Sequence, residues 1–440
     1  MVAVDDKARA ARQGRDVRPG RFGRIGTVRS ALTAWLGRPL ASFHLVLAVC
    51  ALLTVLGLVM VLSASAVISL NRPGSSAYTV FRKQLLYVLA GLVLFWIGLR
   101  IPLRRIRALS PVGLGLSVLM LILVLTPLGS SINGTRGWFT FGPISFQPVE
   151  TAKVALALWG AHILVVKRAV LHQYRHLLVP VVPAALVMFA LVMFQPDLGG
   201  TVTLGVVLIA LLWFAGAPMR LFGGLALGAV AGVVVLAIGT DYRLSRVLSF
   251  LRPEDDPGGA AYQATQAVYA LADGGLFGKG LGQGPSKWQY LPNVDNDFIF
   301  ALIGEELGFL GGALVLGLFA MLAVTGMRIA TRNIDPWIRM VAATLTVWLV
   351  AQAAINIGYV VGLLPVTGIT LPLISSGGTS VVITLLVFGI LANCARHEPE
   401  AVAALRSQGP GRFGRLMRLP APDPYQPPKR KPRRPQGGRR

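Results

Sequence analysis

Ten apolar stretches, each long enough to cross a lipid bilayer, constrain this 440-residue chain more than any other feature. A helix of about 20 apolar residues spans the hydrocarbon core, and only a helix satisfies its own backbone groups there. Because 54% of the residues are hydrophobic and only 14% are charged, the composition does not fit a soluble globular protein. The predicted fold class is therefore all-α, a polytopic membrane protein with ten transmembrane helices. The predicted segments lie near residues 43–66, 84–101, 111–128, 151–166, 177–194, 198–217, 221–239, 298–325, 337–362 and 372–394.

The positive charge is distributed unevenly along the chain. Its formal net charge is +24, and most of the 42 Lys and Arg residues lie in the two tails and in alternate short loops. This layout is not that of a nucleic-acid-binding protein, and the positive-inside rule places both termini in the cytoplasm. The predicted organisation is a basic cytoplasmic tail (1–42), a ten-helix membrane domain (43–395) and a basic, Pro-rich cytoplasmic tail (396–440). We expect its last part, Pro427–Arg440, to be disordered.

One extracellular loop, residues 240–297, is far longer than the others. A loop of this length on a compact protein usually carries function. Within it, Ala260–Ala272 has the pattern of an amphipathic helix. The segment Gly278–Gly284 (GKGLGQG) is rich in glycine but lacks the Lys-Ser/Thr ending of a phosphate-binding P-loop, so we interpret it as a flexible turn.

Three acidic residues occur where the loop enters the eighth predicted span. Asp297 lies at the interface, and Glu305 and Glu306 follow about 12–14 Å deeper along the helix. Acidic residues inside a membrane are costly, which favours a paired or functional role. For Asp297 the spacing alone favours a helix N-cap, and a reactive carboxylate reachable from outside is the alternative.

A second cluster surrounds the start of the fourth span. Glu150 and Lys153 are three residues apart and share one face of the first helical turn, preceded by Arg136 in the same extracellular segment. Either the pair is a local ion pair that seats the helix, or Glu150 holds Lys153 near an anionic ligand. The spacing does not decide between them.

Three further extracellular features complete the set. Arg82 and Lys83 begin the second span, where interfacial snorkelling is the simpler explanation. Asp197 is best explained as a cap of the sixth span. The uncharged turn Gly362–Ser380 either presents backbone N–H groups to an oxygen-rich ligand or is re-entrant and buried in protein. One carboxylate and several cations on one face suit a lipid-linked phosphate substrate.

These residues form a set of motifs that resembles the SEDS family (shape, elongation, division and sporulation proteins) over about Leu45 to Ala395. The Ile303–Gly308 run and the basic tails are similar to the division branch in actinobacteria. The motifs are Gln147-Pro148-x-Glu150-x-x-Lys153, Gln195-Pro196-Asp197-Leu198-Gly199, Tyr262-Gln263, Gly278-x-Gly280-Leu281-Gly282, Leu291-Pro292, Asp297-Phe298-Ile299-Phe300, Glu305-Glu306-Leu307-Gly308 and the Pro372–Ser380 stretch.

The resemblance implies a peptidoglycan glycosyltransferase that polymerises lipid II, an undecaprenyl diphosphate, on the outer face of the cytoplasmic membrane, at the division septum. It implies Asp297 as the catalytic residue and Glu150 and Lys153 as residues of the outward cavity. We add Arg136 and Lys83 as candidate ligands of the diphosphate. A divalent cation (Mg²⁺ or Mn²⁺) is the expected cofactor, with no metal ligands assigned. The expected partners are a class B penicillin-binding protein and other divisome membrane proteins.

Some positions depart from the family pattern, and other functions stay open. Val149, Asn293 and Ser376 replace residues that are common in the family, and Asp295 adds a second carboxylate near Asp297. The alternatives are a lipid II flippase that uses Glu305 and Glu306 as a polar path, a scaffold for the penicillin-binding protein, and an elongation polymerase with the same chemistry.

Overall fold

The computed structural model describes residues 37–70, 76, 78–132, 134–142, 144–238, 260–288 and 291–425. The chain divides into two units, Met1–Ala41 and Ser42–Arg440, and the second contains the site discussed below. The predicted tail 1–42 and the predicted disorder of Pro427–Arg440 fall almost wholly outside the described residues, as does the first part of the loop predicted to be extracellular.

Helices dominate the described part of the chain. They are α1 (Ala41–Leu70), α2 (Thr79–Arg100), α3 (Leu103–Leu123), α4 (Pro148–Val166), α5 (Tyr174–Leu178), α6 (Val181–Phe194), α7 (Leu198–Phe214), α8 (Met219–Ile238), α9 (Ala260–Asp273), α10 (Ile299–Arg332), α11 (Pro336–Val360), α12 (Gly378–Arg396), α13 (Pro399–Ser407) and α14 (Arg412–Leu416).

The ten predicted spans correspond to α1–α4, α6–α8 and α10–α12. Seven of these, α1–α4 and α10–α12, are long and apolar enough to cross a membrane. The helices α6 and α7 are shorter apolar helices, as is α8 over Met219–Gly228. The prediction of an all-α polytopic membrane protein is confirmed, and the amphipathic stretch of the loop is indeed helical, as α9.

Several helix ends differ from the prediction. The third span begins eight residues earlier than expected, at Leu103, so its arginines lie in the first helical turns. The start of α11 has Asp335 as N-cap, whose Oδ1 accepts a hydrogen bond from the Trp337 N–H at 2.8 Å, and Pro336 in the first turn. Helix α10 continues to Arg332, seven residues beyond the expected end.

A small antiparallel sheet, which the sequence analysis did not predict, connects α3 to α4. It comprises β1 (Ser130–Ile132), β2 (Thr135–Phe141) and β3 (Ile144–Phe146), in the order β1-β2-β3. Strands β1 and β3, of three residues each, are too short to show a period-two pattern, and the seven-residue β2 (TRGWFTF) does not alternate regularly between apolar and polar residues. The sheet leads directly into α4 and so fixes where Glu150 and Lys153 enter the bundle.

Helices α2 and α12 pack closely along their length because glycines line their contact. A Cβ on Gly91 would lie 2.5 Å from Leu385 Cδ1, and one on Gly389 would collide with the main chain of Phe95. Small residues allow such backbone approach between membrane helices. This packing brings the N-terminal end of α2 beside the chain that precedes α12.

Candidate active site

The main chain of Asp297 is held firmly just before the eighth span. Its carbonyl oxygen accepts hydrogen bonds from Asn356 Nδ2 and from Tyr359 Oη, each at 3.0 Å. The ring of Tyr359 also packs edge-on against Phe298, with ring centroids 5.9 Å apart. Two side chains of α11 therefore fix the position of the half-buried Asp297.

Asp297 is not the helix N-cap that spacing alone favoured. Helix α10 begins at Ile299, the N-cap position is Phe298, and no side chain caps this end. The carboxylate instead lies toward the turn before α12, where a Cβ on Gly368 would be 3.9 Å from Asp297 Oδ2. Its side chain is thus placed for something other than helix capping.

The turn before α12 is re-entrant, as one of the two interpretations expected. Residues 371–375 are buried. Ser375 Oγ donates to the Asn296 carbonyl at 2.7 Å, and Ser376 donates from its N–H to the Asp295 carbonyl at 2.8 Å. Ser376 Oγ also donates to Asp295 Oδ2 at 2.9 Å, so the second carboxylate is engaged in holding this turn.

Glu150 and Lys153 form the ion pair that their spacing predicted. Lys153 Nζ lies 2.8 Å from Glu150 Oε1, and the lysine side chain is only 2% exposed. The ammonium also sits 5.0 Å from the centre of the Trp348 ring, a cation–π contact. A charge kept this far from water interacts strongly with other charges nearby.

Asp197 joins the starts of α4 and α7, and its predicted role as a cap is confirmed. Its Oδ1 accepts from the Gly200 N–H at 2.7 Å, and its Oδ2 accepts from Gln147 Nε2 at 3.2 Å. Burial raises the pKa of the Asp197 carboxyl, while the Gly200 hydrogen bond and the charge of Lys153 lower it. The Glu150–Lys153 pair is therefore part of a larger polar cluster.

The turn before α12 links this polar cluster to Asp297. A Cβ on Gly199, at the start of α7, would lie 2.9 Å from the Thr367 carbonyl, one residue from Gly368. Gln352 Nε2 donates to the Thr370 carbonyl at 3.0 Å and its Oε1 accepts from Trp348 Nε1 at 2.9 Å. Asp297, Asp197 and the Glu150–Lys153 pair thus surround one short segment.

The sequence analysis missed the polar face of α11. Gln352, Asn356 and Tyr359 recur at intervals of four and three residues inside an apolar span. This spacing places them on one face of the helix, and polar residues in a membrane span face protein or water. Their pattern was readable from the sequence.

Lys83 and Arg136 lie exposed at the same end of the bundle. Arg136 Nη2 donates to the Thr126 carbonyl at 3.1 Å, beside the small sheet. Lys83 neighbours Gln84, which donates to the Ser375 carbonyl and accepts from the Gly377 N–H, both at 3.3 Å. Their role as ligands of a diphosphate stays a prediction.

The described residues do not contain a ready-made metal site. No group of three His, Cys, Asp or Glu side chains is close enough to hold an ion in this part of the chain. Asp295 is engaged by Ser376 and Glu150 by Lys153. The predicted Mg²⁺ or Mn²⁺ would therefore need oxygens from a substrate diphosphate as well as a carboxylate, a combination common for Mg²⁺.

Glycine-rich residues of the long loop, predicted to be extracellular, fold onto a kink in α10 rather than forming a flexible turn. The kink is at Gly308, with φ 69°. Four main-chain hydrogen bonds join the two segments: Lys279 N to Glu305 O, Gly280 N to Glu306 O, Phe309 N to Gly275 O and Leu310 N to Leu276 O. The loop thus satisfies backbone groups that the kink removes from the helix.

Glu306 is fully buried at this kink and paired. Its Oε1 lies 3.5 Å from Lys287 Nζ, and Ser63 Oγ donates to its carboxylate at 2.7 Å. The side chain of Lys287 is also buried and donates to the Gly282 carbonyl. Both acidic residues of the kink face loop residues, since Glu305 Oε2 accepts from the Ser286 N–H at 3.3 Å.

Lys287→Met should therefore destabilise the protein strongly, by about 3–5 kcal/mol, because it leaves Glu306 buried without its cation. Lys287→Met combined with Glu306→Leu should recover most of that loss. The matched control is Lys279→Met, which removes an exposed partner of Asp273 and should cost less than about 1 kcal/mol. Thermal unfolding of the purified proteins measures all three, and equal losses for Lys287→Met and Lys279→Met would contradict the buried pairing.

Comparison with known proteins agrees with this fold. The family model for cell cycle proteins of the FtsW, RodA and SpoVE type matches residues 43–400. The chain is 54% identical over 402 residues to the probable peptidoglycan glycosyltransferase FtsW of Mycobacterium tuberculosis, covering 91% of this chain and 76% of that protein. It is 39% identical over 348 residues to stage V sporulation protein E of Bacillus subtilis, covering 79% of this chain and 94% of that protein.

Solved structures show the same fold. A chain from a peptidoglycan synthase complex, solved in work on the structural coordination of polymerization and crosslinking, matches with a TM-score of 0.67 at 29% identity. The rod shape determining protein RodA of Thermus thermophilus matches with a TM-score of 0.59 at 28% identity. Each match covers 83% of this chain and 99% of the other.

The fold and the site thus define a polytopic membrane protein with an acidic residue held at one end of the helix bundle. The chain belongs to the FtsW, RodA and SpoVE family, the SEDS proteins.

Proposed function

We propose that this protein is a peptidoglycan glycosyltransferase of cell division that polymerises lipid II on the outer face of the cytoplasmic membrane. The observation that carries the proposal is Asp297, whose main chain is fixed by Asn356 and Tyr359 at the start of α10. The similarity of the whole chain to proteins named FtsW supports the reaction and the division role. We place both termini in the cytoplasm and the protein at the division septum, from the charge distribution and the family.

The proposed reaction is a single displacement. The 4-hydroxyl of the acceptor lipid II attacks the anomeric carbon of the growing glycan, and the bond from that carbon to the undecaprenyl diphosphate breaks. Asp297 accepts the hydroxyl proton as a general base, and the configuration at the anomeric carbon inverts. The diphosphate departs as an anion without needing a strong acid.

Cations near the site supply the second part of the mechanism. Lys83 and Arg136 are exposed, so they can meet the diphosphate directly. Lys153 is buried, so it acts through the low-dielectric interior, offsetting negative charge that develops at the site. Two lipid-anchored sugars held at one interface gain further rate from proximity. A bound Mg²⁺ or Mn²⁺ would add charge stabilisation.

The paired state of the kink supports polymerisation over the flippase alternative. A polar path through the bundle would use Glu305 and Glu306, yet Glu306 is bound to Lys287 and Ser63 and Glu305 contacts Ser286. The partner we propose is a class B penicillin-binding protein, by analogy with the peptidoglycan synthase complex that contains a chain of this fold. Other divisome proteins are further expected partners.

Proteoliposomes supplied with lipid II only on the outer surface test the proposal. We expect glycan chains, resolved by gel electrophoresis, to form without any transfer of lipid across the bilayer. The reaction is run with and without the co-reconstituted penicillin-binding protein, which separates catalysis by this chain from a scaffold role. Glycan that appears only when lipid II starts on the inner surface, or that forms equally well with the penicillin-binding protein reconstituted alone, would reject the proposal.

A further inference from the structure

A cavity of about 1150 Å³ lies at the end of the bundle opposite Asp297. It is enclosed by the C-terminal ends of α2 and α12 and the N-terminal ends of α3 and α11. Helix α12 runs from Gly378 to Arg396, so the cavity is about 27 Å from the candidate active site. It is therefore a separate site, on the side that the charge distribution assigns to the cytoplasm.

Five arginines line this cavity: Arg100, Arg104, Arg107, Arg168 and Arg396. In the described part of the chain, none of the five is within 4.0 Å of a carboxylate, whereas Lys153, Lys279, Lys287 and Arg332 all are. Like charges gathered beside a membrane repel one another unless an anion lies among them. The cavity thus has a large excess of positive charge.

Neighbouring groups orient three of these guanidinium groups. Arg100 stacks over the Trp96 ring at 5.0 Å, Arg107 Nε donates to His162 Nδ1 at 3.1 Å, and Arg396 Nη2 donates to the Pro420 carbonyl at 2.8 Å. Each guanidinium carries five N–H donors, so each keeps others for a ligand. The free N–H groups of several guanidinium groups can donate hydrogen bonds to the oxygens of one phosphate.

The chain after α14 forms one wall of the cavity. Trp96 Nε1 donates to the Met417 carbonyl at 3.1 Å, and Pro420 to Tyr425 line the cavity. The sequence analysis expected only a basic tail in this region. These residues cover the side of the cavity that faces away from the helix bundle. Apolar residues such as Val165 and Val166 line the side near α4.

Opposing charges do not cancel the arginines. Two carboxylates, Asp335 and Asp423, also line the cavity. Asp335 is the N-cap of α11 and accepts from the Trp337 N–H. Burial lowers the pKa of the neighbouring His397, as does the charge of Arg396, against the opposing effects of the Asn393 carbonyl and the two carboxylates. The lining retains a net positive charge.

We propose that this cavity is a binding site for a phosphate-bearing anion, distinct from the polymerisation site. The ligand is either the headgroup of an anionic phospholipid of the inner leaflet or a soluble phosphate compound. Both present the same oxygens to the arginines. The size of the cavity suits a group of this kind.

The test measures thermal stabilisation of the full-length protein in detergent by three probes. These are dioleoyl phosphatidylglycerol, dioleoyl phosphatidylcholine and inorganic pyrophosphate. The cavity variant is Arg104→Gln with Arg168→Gln, since both residues are exposed and their loss leaves the helix contacts intact. The matched control is Arg175→Gln with Arg220→Gln, which removes the same charge from exposed positions outside the cavity.

We expect phosphatidylglycerol or pyrophosphate to raise the unfolding temperature of the parent and of the control, and the cavity variant to bind the active probe on the order of tenfold more weakly. Stabilisation by the lipid alone identifies a headgroup, and stabilisation by pyrophosphate identifies a soluble source. The proposal is overturned if neither anion stabilises the parent, if phosphatidylcholine acts equally, or if both variants lose affinity alike.

Discussion

Asp297→Asn is expected to lower the rate of lipid II polymerisation by about 10²- to 10⁴-fold, the contribution typical of a general base. The amide has nearly the same shape as the carboxylate but cannot accept the acceptor's proton. The hydrogen bonds from Asn356 and Tyr359 go to the main-chain carbonyl of this residue and survive the change. We therefore expect the unfolding temperature and lipid II binding to remain close to those of the parent.

Asp295→Asn is the matched control for this experiment. Asp295 is two residues away, and its carboxylate accepts from Ser376 Oγ, a bond that an Asn side-chain oxygen can also accept. We expect this variant to polymerise at nearly the parental rate. Parental activity in Asp297→Asn, or an equal loss in both variants, would remove Asp297 from the role of base.

Lys153→Met should cause the second large effect, a loss of about 10²- to 10³-fold in rate together with a marked fall in stability. The rate falls because a preorganised charge near the reacting groups is removed. Stability falls by about 3–5 kcal/mol because Glu150 is left buried without its partner. Initial rates of glycan formation and thermal unfolding of the purified protein measure the two effects.

A double variant separates the two effects. Lys153→Met combined with Glu150→Gln removes both charges, so most of the lost stability should return while the rate stays low. If the double variant polymerised like the parent, Lys153 would be a structural residue only. Lys83→Gln, at an exposed position, provides the comparison for a cation that meets the diphosphate directly.

The architecture could largely be predicted from the sequence because each membrane span must be apolar over its whole length. The starts of the spans were accurate where a side chain caps the helix, as Asp335 and Asp197 do. The start at Leu103, which has no side-chain cap, was eight residues off. The sheet of β1–β3 was missed because two of its strands have three residues each and β2 lacks a regular apolar–polar alternation. Hydropathy carries no information about these local hydrogen bonds.

The candidate site was predictable only where sequence spacing fixes geometry. The Glu150–Lys153 pair lies within one helical turn, so the sequence was sufficient. The role of Asp297 as a cap was wrong because the helix begins at Ile299 and contacts from α11 position this residue instead. The pairing of Glu306 with Lys287 depends on how the loop folds back, which no local pattern reveals.

The union of the loop with α10 at Gly308 has a mechanical consequence. Hydrogen bonds from Lys279 and Gly280 and the buried pairing of Lys287 with Glu306 tie the loop to the stretch of helix that leads back to Asp297. We therefore expect the loop and this stretch of α10 to move together. A displacement of this loop is therefore transmitted to the helix that begins beside Asp297 and, through the hydrogen bond from Ser63 to Glu306, to α1.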